Sequence, residues 1–329
     1  MTSKERINAV LNFQKVDRLP VIEWAPYWDK TIERWRGEGL PDHAQTAAQI
    51  RDYFELDTML DIWVRGCGPN CPQPKGHGLP IIKTEADYDA ILPHLYSKSA
   101  VDPVYLDSLS KAQQEGAAIW VWFEGFFWFP RTLFGIEDHL YAFYDSPALM
   151  RRINDDMIEH LYRTVEQICE RVSPQFLAIG EDMSYNHGPM ISKELFDEHL
   201  AEFYVKASSF IKSKEIKVFV DSDGLVDDPV DWYAGVGCEG FLPLEKQAGV
   251  DLLKYREKHP KFLFMGGFDK ICMNKGEAAM RAEFERLLPV MKQGGYLLGV
   301  DHQTPPEVSM DDYRLYLKLY REYAQEAAG

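Results

Sequence analysis

One pattern constrains this chain more than any other. A short apolar run ends in an acid, a polar or helical stretch follows, and the next apolar run begins. Between Phe176 and His302 the runs are Phe176-Leu-Ala-Ile-Gly-Glu-Asp182, Lys217-Val-Phe-Val-Asp-Ser-Asp223, Gly240-Phe-Leu-Pro-Leu-Glu245, Phe262-Leu-Phe-Met-Gly-Gly-Phe-Asp269 and Gly295-Tyr-Leu-Leu-Gly-Val-Asp-His302. Apolar runs of this kind read as strands buried on both faces, and the stretches between them are long enough for the crossovers that parallel pairing requires. Side chains at the C-terminal ends of parallel barrel strands converge on one face, where barrel enzymes keep their chemistry. Glu181, Asp182, Asp221, Asp223, Glu245, Asp269, Asp301 and His302 are therefore expected around one mouth.

Earlier in the chain, Ala117-Ala-Ile-Trp-Val-Trp-Phe-Glu124 repeats the pattern, residues 56–63 read as another strand, and Val21-Ile-Glu-Trp24 as a short one. Helices are expected over residues 3–13, 27–36, 43–54, 84–92, 103–115, 134–144, 147–172 and 309–327, the first opened by a Thr2/Glu5 capping box. Residues 65–80, rich in Gly and Pro, read as a loop. No linker or low-complexity tract divides the rest. Eight strand candidates with helical crossovers predict one domain over residues 1–329: a single (β/α)8 TIM barrel with an N-terminal helical extension.

Charge narrows the partners. The 329 residues carry 36 Lys and Arg against 52 Asp and Glu, a net charge of −16, with no basic run. Such a chain is a poor match for nucleic acid or an anionic membrane surface. No stretch approaches the roughly 18 consecutive apolar residues of a membrane span, and the first residues lack the apolar core of a signal peptide. The five cysteines are an odd, scattered set rather than a disulfide framework. A reduced, cytoplasmic protein is expected.

Residue by residue, Asp221 and Asp223 sit two apart at a strand end and so share a side, as joint ligation of a metal would require; Asp-Ser-Asp-Gly is equally good turn chemistry. His302 closes a strand beside Asp301, which could orient it. Glu181 and Asp182 are successive and point to opposite sides, so one of them faces the mouth, with Glu181 favoured as the acid–base group. Glu245 and Asp269 follow residues that let backbone approach a ligand. Trp24, Tyr27, Glu124 and Trp128, with Tyr185 and His187 on a loop beyond, are expected to line an acidic, aromatic substrate pocket suited to a cation, although core packing is the commoner fate of aromatics. Cys67 and Cys71, with His77 downstream, lack a fourth zinc ligand and read as loop thiols. No nucleotide loop or serine-hydrolase elbow is present.

Several stretches carry a family resemblance. Thr2-Ser-Lys-Glu-Arg-Ile-Asn-Ala-Val-Leu-Asn-Phe13 with Val16-Asp-Arg-Leu-Pro-Val21, then Gly180-Glu-Asp-Met183, Ile191-Ser-Lys-Glu-Leu-Phe196, Gly266-Gly-Phe-Asp-Lys270, Gly294-Gly-Tyr296 and Thr304-Pro-Pro-Glu-Val308 resemble the uroporphyrinogen decarboxylase superfamily, in order and across the whole chain. The resemblance implies a (β/α)8 barrel and one of two chemistries: uroporphyrinogen decarboxylation, or methyl transfer between methylated cobamides or other methyl donors and thiols, with zinc. The decarboxylase branch carries an arginine motif after its first strand. Here that stretch, Val21-Ile-Glu-Trp-Ala-Pro-Tyr-Trp-Asp-Lys30, has no arginine and two acids, and an acidic mouth repels a polycarboxylate. In the methyltransferase branch the zinc-binding His-x-Cys falls on Asp221-Ser222-Asp223, and a last Cys falls on or beside His302. The resemblance thus implies zinc, or another divalent metal, held by Asp221, Asp223 and His302.

The function expected from these readings is a metal-dependent methyltransferase-like enzyme. It would move a methyl group between a small methylated substrate or thiol and a corrinoid on a separate carrier protein, with Glu181, Asp301, Glu245 and Asp269 in catalytic roles. Two rivals stand beside it: a decarboxylase or lyase on a smaller substrate, and a non-catalytic barrel that binds a ligand or a corrinoid partner. A homodimer is what the decarboxylase relatives suggest.

Overall fold

The apolar runs form strands because each is buried from end to end and has parallel neighbours to satisfy its backbone. The computed structural model describes residues 1–329. Its strands are β1 (Met59–Val64), β2 (Ala118–Glu124), β3 (Phe176–Gly180), β4 (Ser184–Tyr185), β5 (Gly188–Pro189), β6 (Lys217–Asp221), β7 (Gly240–Leu242), β8 (Leu263–Phe268) and β9 (Tyr296–Val300). Seven of them make one parallel sheet in the order β1-β2-β3-β6-β7-β8-β9, and β4 and β5 make a separate antiparallel hairpin. All residues of β2, β3, β8 and β9 are buried, as strands covered on both faces should be.

The eighth strand is not there. Residues 21–24 touch both open edges of the sheet, but no ladder forms. One backbone bond forms, Asp57 N–H to Val21 O at 2.8 Å, and side chains take other partners: Val21 N–H donates to Asp57 Oδ2 at 2.7 Å, Arg51 Nη2 to Trp24 O at 3.1 Å, and Tyr320 Oη to Pro20 O at 3.0 Å. Trp24 Nε1 reaches Val300 O, at the end of β9, at 2.8 Å. Pro20 and Pro26 flank this stretch, and proline removes the N–H donors a ladder would need. The expected closed eight-stranded barrel is therefore a seven-stranded parallel sheet of barrel type, its gap filled by an extended segment.

Helices follow the expected pattern with shorter ends. Ser3–Leu11 is opened by the Thr2/Glu5 capping box, and Met310–Ala328 by a second box from Ser309 and Asp312. The longest helix, Pro147–Cys169, buries Met150, Ile153, Met157, Leu161, Val165 and Ile168, the 3–4 residue stripe of an amphipathic helix. Residues 65–80 contain neither helix nor strand. A single cluster of 98 buried residues runs through the molecule. No helix is long and apolar enough to cross a membrane.

The end of the sheet opposite the strand C-termini is tied by charge. Asp57, just before β1, accepts from Arg6 at 2.6 Å, Arg18 at 2.5 Å and the Val21 N–H. These bonds join the first helix, the segment at the gap and β1.

Candidate active site

Two glycines shape the mouth by being absent as side chains. A Cβ on Gly180 would lie 2.1 Å from the Trp122 ring, and one on Gly125 would lie 1.9 Å from a Glu181 carboxylate oxygen. With Gly180 in place, Trp122 lies across the end of β3 and donates Nε1–H to Asp221 Oδ2 at 2.7 Å. Asp182 adopts a left-handed φ of 40°, uncommon for a residue with a side chain. This turns its carboxylate toward the loop after β6, where Oδ1 accepts the Asp223 N–H at 3.4 Å. Glu245 accepts the Gly224 N–H at 3.0 Å. Lys270 Nζ lies 3.1 Å from Asp301 and 3.7 Å from Glu245, and His302 Nε2 stands 3.9 Å from Asp223 Oδ2. Asp182, Asp221, Asp223, Glu245, Asp301, His302 and Lys270 thus share one mouth.

Too little positive charge is present for so many acids. Burial, and then the neighbouring Asp182 and Asp223, hold the Asp221 carboxyl far above the usual range. Asp223 is pushed up to about 7 by burial and by Asp182 and Glu245, with Lys270 opposing. Burial also raises Asp301, but Lys270 limits the rise to about 6. Asp182 is raised by burial as well. The His302 imidazole is lowered by burial and by Lys270, so it is neutral at neutral pH. Side-chain exposure separates these groups. Asp223 and His302 are 39% and 36% exposed, whereas Asp301 is 0% exposed and holds Lys270 and the Lys246 N–H, the latter at 3.2 Å.

Several expectations are corrected. Of the successive acids, Asp182 faces the mouth and Glu181 does not. Glu181 accepts from the N–H groups of Phe126, Phe127 and Trp128 at 2.8, 2.8 and 3.0 Å, and also from Tyr204. Burial raises it to about 7 despite these donors. It anchors the start of helix Trp128–Phe134 and is buried. Trp24 and Tyr27 are core residues: Trp24 is bonded to Val300, and Tyr27 Oη lies 2.9 Å from Tyr313 Oη. Asp269 caps the short turn Lys270–Cys272 and accepts from Gln247 at 3.0 Å.

Glu124 and Trp128 do line a cavity, described below. Tyr185 and His187 are exposed on the β4–β5 hairpin, edge to face at 5.7 Å. The hairpin docks on the loop after β6 through Leu225 N–H to Tyr185 O at 2.9 Å. Cys67 and Cys71 place their sulfurs 3.1 Å apart as free thiols.

The expected metal ligands meet competing partners. Asp221 is engaged by Trp122, Lys270 already supplies a cation to the cluster, and no three His, Cys, Asp or Glu side chains are placed to hold an ion. Asp221, Asp223 and His302 share the mouth, but they do not fit a closed metal site as they stand.

Sequence reasoning missed Lys270, although it directly follows a strand-end acid, and it gave no role to Arg65 and Arg131, which follow β1 and β2 in loop and helix.

No family model and no curated protein matches the chain. Solved structures do. A methyltransferase from Methanosarcina mazei superposes with a TM-score of 0.68 at 16% identity, covering 98% of each chain. A protein from Listeria monocytogenes described as a vitamin-B12-independent methionine synthase covers 95% of this chain and 97% of its own at 11% identity. Its TM-score of 0.44 leaves that second likeness without weight. The first shows a shared barrel-type architecture over the full length.

Proposed function

We propose that this chain is a methyltransferase-type enzyme that takes a methyl group from a small methylated heteroatom and passes it to a thiol or to a corrinoid borne by a separate carrier protein. The observation that carries this reading is the pairing of Asp223, a carboxyl poised near 7, with a neutral His302 at the open part of the mouth. When a heteroatom such as an ether oxygen loses its methyl group, it must gain a proton. Asp223 supplies one at neutral pH, and such assistance is worth roughly 10²–10⁴-fold in rate. A thiol acceptor must lose a proton to become nucleophilic, and the His302 imidazole takes it. One proton is given and one is taken, so the pair returns to its starting state after exchange with solvent.

Lys270, fixed by Asp301 and close to Glu245, keeps the cluster from excluding all negative charge. The M. mazei methyltransferase adds support at the level of architecture only.

The test is turnover of methylated donors with a thiol or reduced corrinoid, followed by mass spectrometry of the demethylated product. Asp223→Asn and His302→Ala should each lower kcat by about 100-fold or more, and wild-type activity should fall as pH rises past 7. Wild-type rates in both variants would sink the reading. Stoichiometric zinc in wild type that His302→Ala loses would replace acid–base assistance with metal assistance. A decarboxylase is the second reading, favoured by Lys270 at the mouth, and release of carbon dioxide without methyl transfer would establish it.

A further inference from the structure

Beside the acidic mouth, residues 65–81 and helix Trp128–Phe134 enclose a cavity of about 620 Å³. Its charge is opposite to that of its neighbour. Arg65 and Arg131 both line it, in a chain with 16 more acids than bases. Arg65 donates no hydrogen bond and rests over Trp122 at 5.7 Å. Arg131 lies over Trp128 at 4.9 Å and spends one guanidinium nitrogen on Asp182 O at 3.3 Å. Neither arginine closes an ion pair. Most of their N–H groups are therefore free to meet a ligand in the cavity, and the planar fork of a guanidinium matches a carboxylate.

The remaining wall is mixed: Pro69, Pro72, Pro74, Leu79, Ile81 and the Trp128 ring give apolar surface, and Gln73, His77 and Thr132 stand among them. Glu124, buried in the wall and bonded to the Gly66 N–H at 2.8 Å, and the nearby mouth acids oppose a doubly charged group. They tolerate a singly charged one at lower cost.

We propose that this cavity is a carboxylate-binding pocket, in which Arg65 and Arg131 grip the acid group of an organic substrate whose flat apolar body lies against Trp128. Two contacts link the cavity wall to the reaction mouth: Arg131 is bonded to Asp182, and Arg65 rests over Trp122, which is bonded to Asp221. The acid is thus the anchoring end of the substrate, and the methylated group extends to Asp223 and His302. This substrate assignment rests on the methyl-transfer reading, whereas the pocket itself does not.

Calorimetric titration of the full-length protein with 2-naphthoate, 2-naphthamide and 2-naphthyl phosphate separates the two. Naphthoate should bind at least about tenfold more tightly than the neutral amide. Arg65→Gln and Arg131→Gln should each remove most of that preference while leaving amide binding unchanged. Arg65 is exposed, so its variant tests the pocket even if Arg131→Gln misfolds. Equal binding of acid and amide, preference for the phosphate, absence of saturable binding, or wild-type affinity in Arg65→Gln would each overturn the pocket. Selective naphthoate binding by a protein that moves no methyl group would leave the pocket standing and remove the reaction assigned above.

Discussion

Asp57 and Asp221 are the same side chain at opposite ends of the sheet, in opposite company. Asp57, before β1, meets two guanidiniums and a backbone N–H within 2.7 Å. Asp221, at the end of β6, has one neutral indole donor and faces Asp182 and Asp223. A paired buried charge stabilises a fold against loss of its partner, while crowded acids cost stability and hold protons near neutral pH. The N-terminal end of the barrel is built for holding the chain together. The C-terminal end instead crowds acids whose raised proton affinity costs stability, the arrangement in which functional sites cluster.

The largest effect is expected from breaking the paired end. Asp57→Ala takes a shared partner from Arg6 and Arg18 and orphans the buried Val21 N–H, although Arg6 keeps Asp17 at 2.7 Å, and should destabilise the protein by about 3 kcal/mol in denaturant titration. At the crowded end the outcome reverses. Asp221→Asn should leave stability within about 1 kcal/mol of wild type or raise it, since an acid crowded by Asp182 and Asp223 is replaced by a neutral amide of the same shape. If Asp221→Asn unfolds the protein as readily as Asp57→Ala, the contrast between the two ends is wrong.

A smaller effect belongs to Gly180→Ala. The added Cβ meets the Trp122 ring and should cost about 1–3 kcal/mol by overpacking. It should also change the tryptophan emission as Nε1 leaves Asp221. Unaltered emission would mean that the glycine does not position the indole.

The smallest is a slope. Asp223 and Asp301 keep their protons to about 7 and about 6 in the folded protein, whereas an unfolded Asp releases its proton near 4. Between those values the folded state binds more protons, so their contribution to stability is complete below pH about 4 and is lost as pH rises through about 6 and 7. Chemical denaturation at a series of pH values should show that decline, and Asp223→Asn should flatten it. The same decline in both proteins would assign it to other groups.

How much of this could be read beforehand depends on what each feature needs. Strands β2, β3 and β6 to β9 were legible because burial on both faces writes itself as an unbroken apolar run, whereas the short β4–β5 hairpin carries no such run. The acids at their ends were legible because parallel strands point the same way. The segment Val21–Trp24 reads as a strand by the same rule, but its backbone groups were claimed by Asp57, Arg51 and Tyr320, from distant parts of the chain. Glu181 against Asp182 was decided by a single left-handed φ, which alternation along a strand cannot foresee. Trp24 and Tyr27 were drawn inward by Val300 and Tyr313, residues more than 270 positions away. Arg65 and Arg131 carry no periodic signal, because loop residues acquire their neighbours only when the chain closes over them.

The amino-acid order by itself determined a parallel α/β architecture and a ring of carboxylates at one end of it. Both follow from local alternation of apolar runs, helices and terminal acids, which needs no distant contact to be expressed. Tertiary structure alone decided which acids are crowded and which are paired, that Lys270 stands among them, and that two arginines face a cavity next door. Proton affinity and charge complementarity depend on distances of a few ångströms between groups far apart in the chain, and those distances exist only after folding.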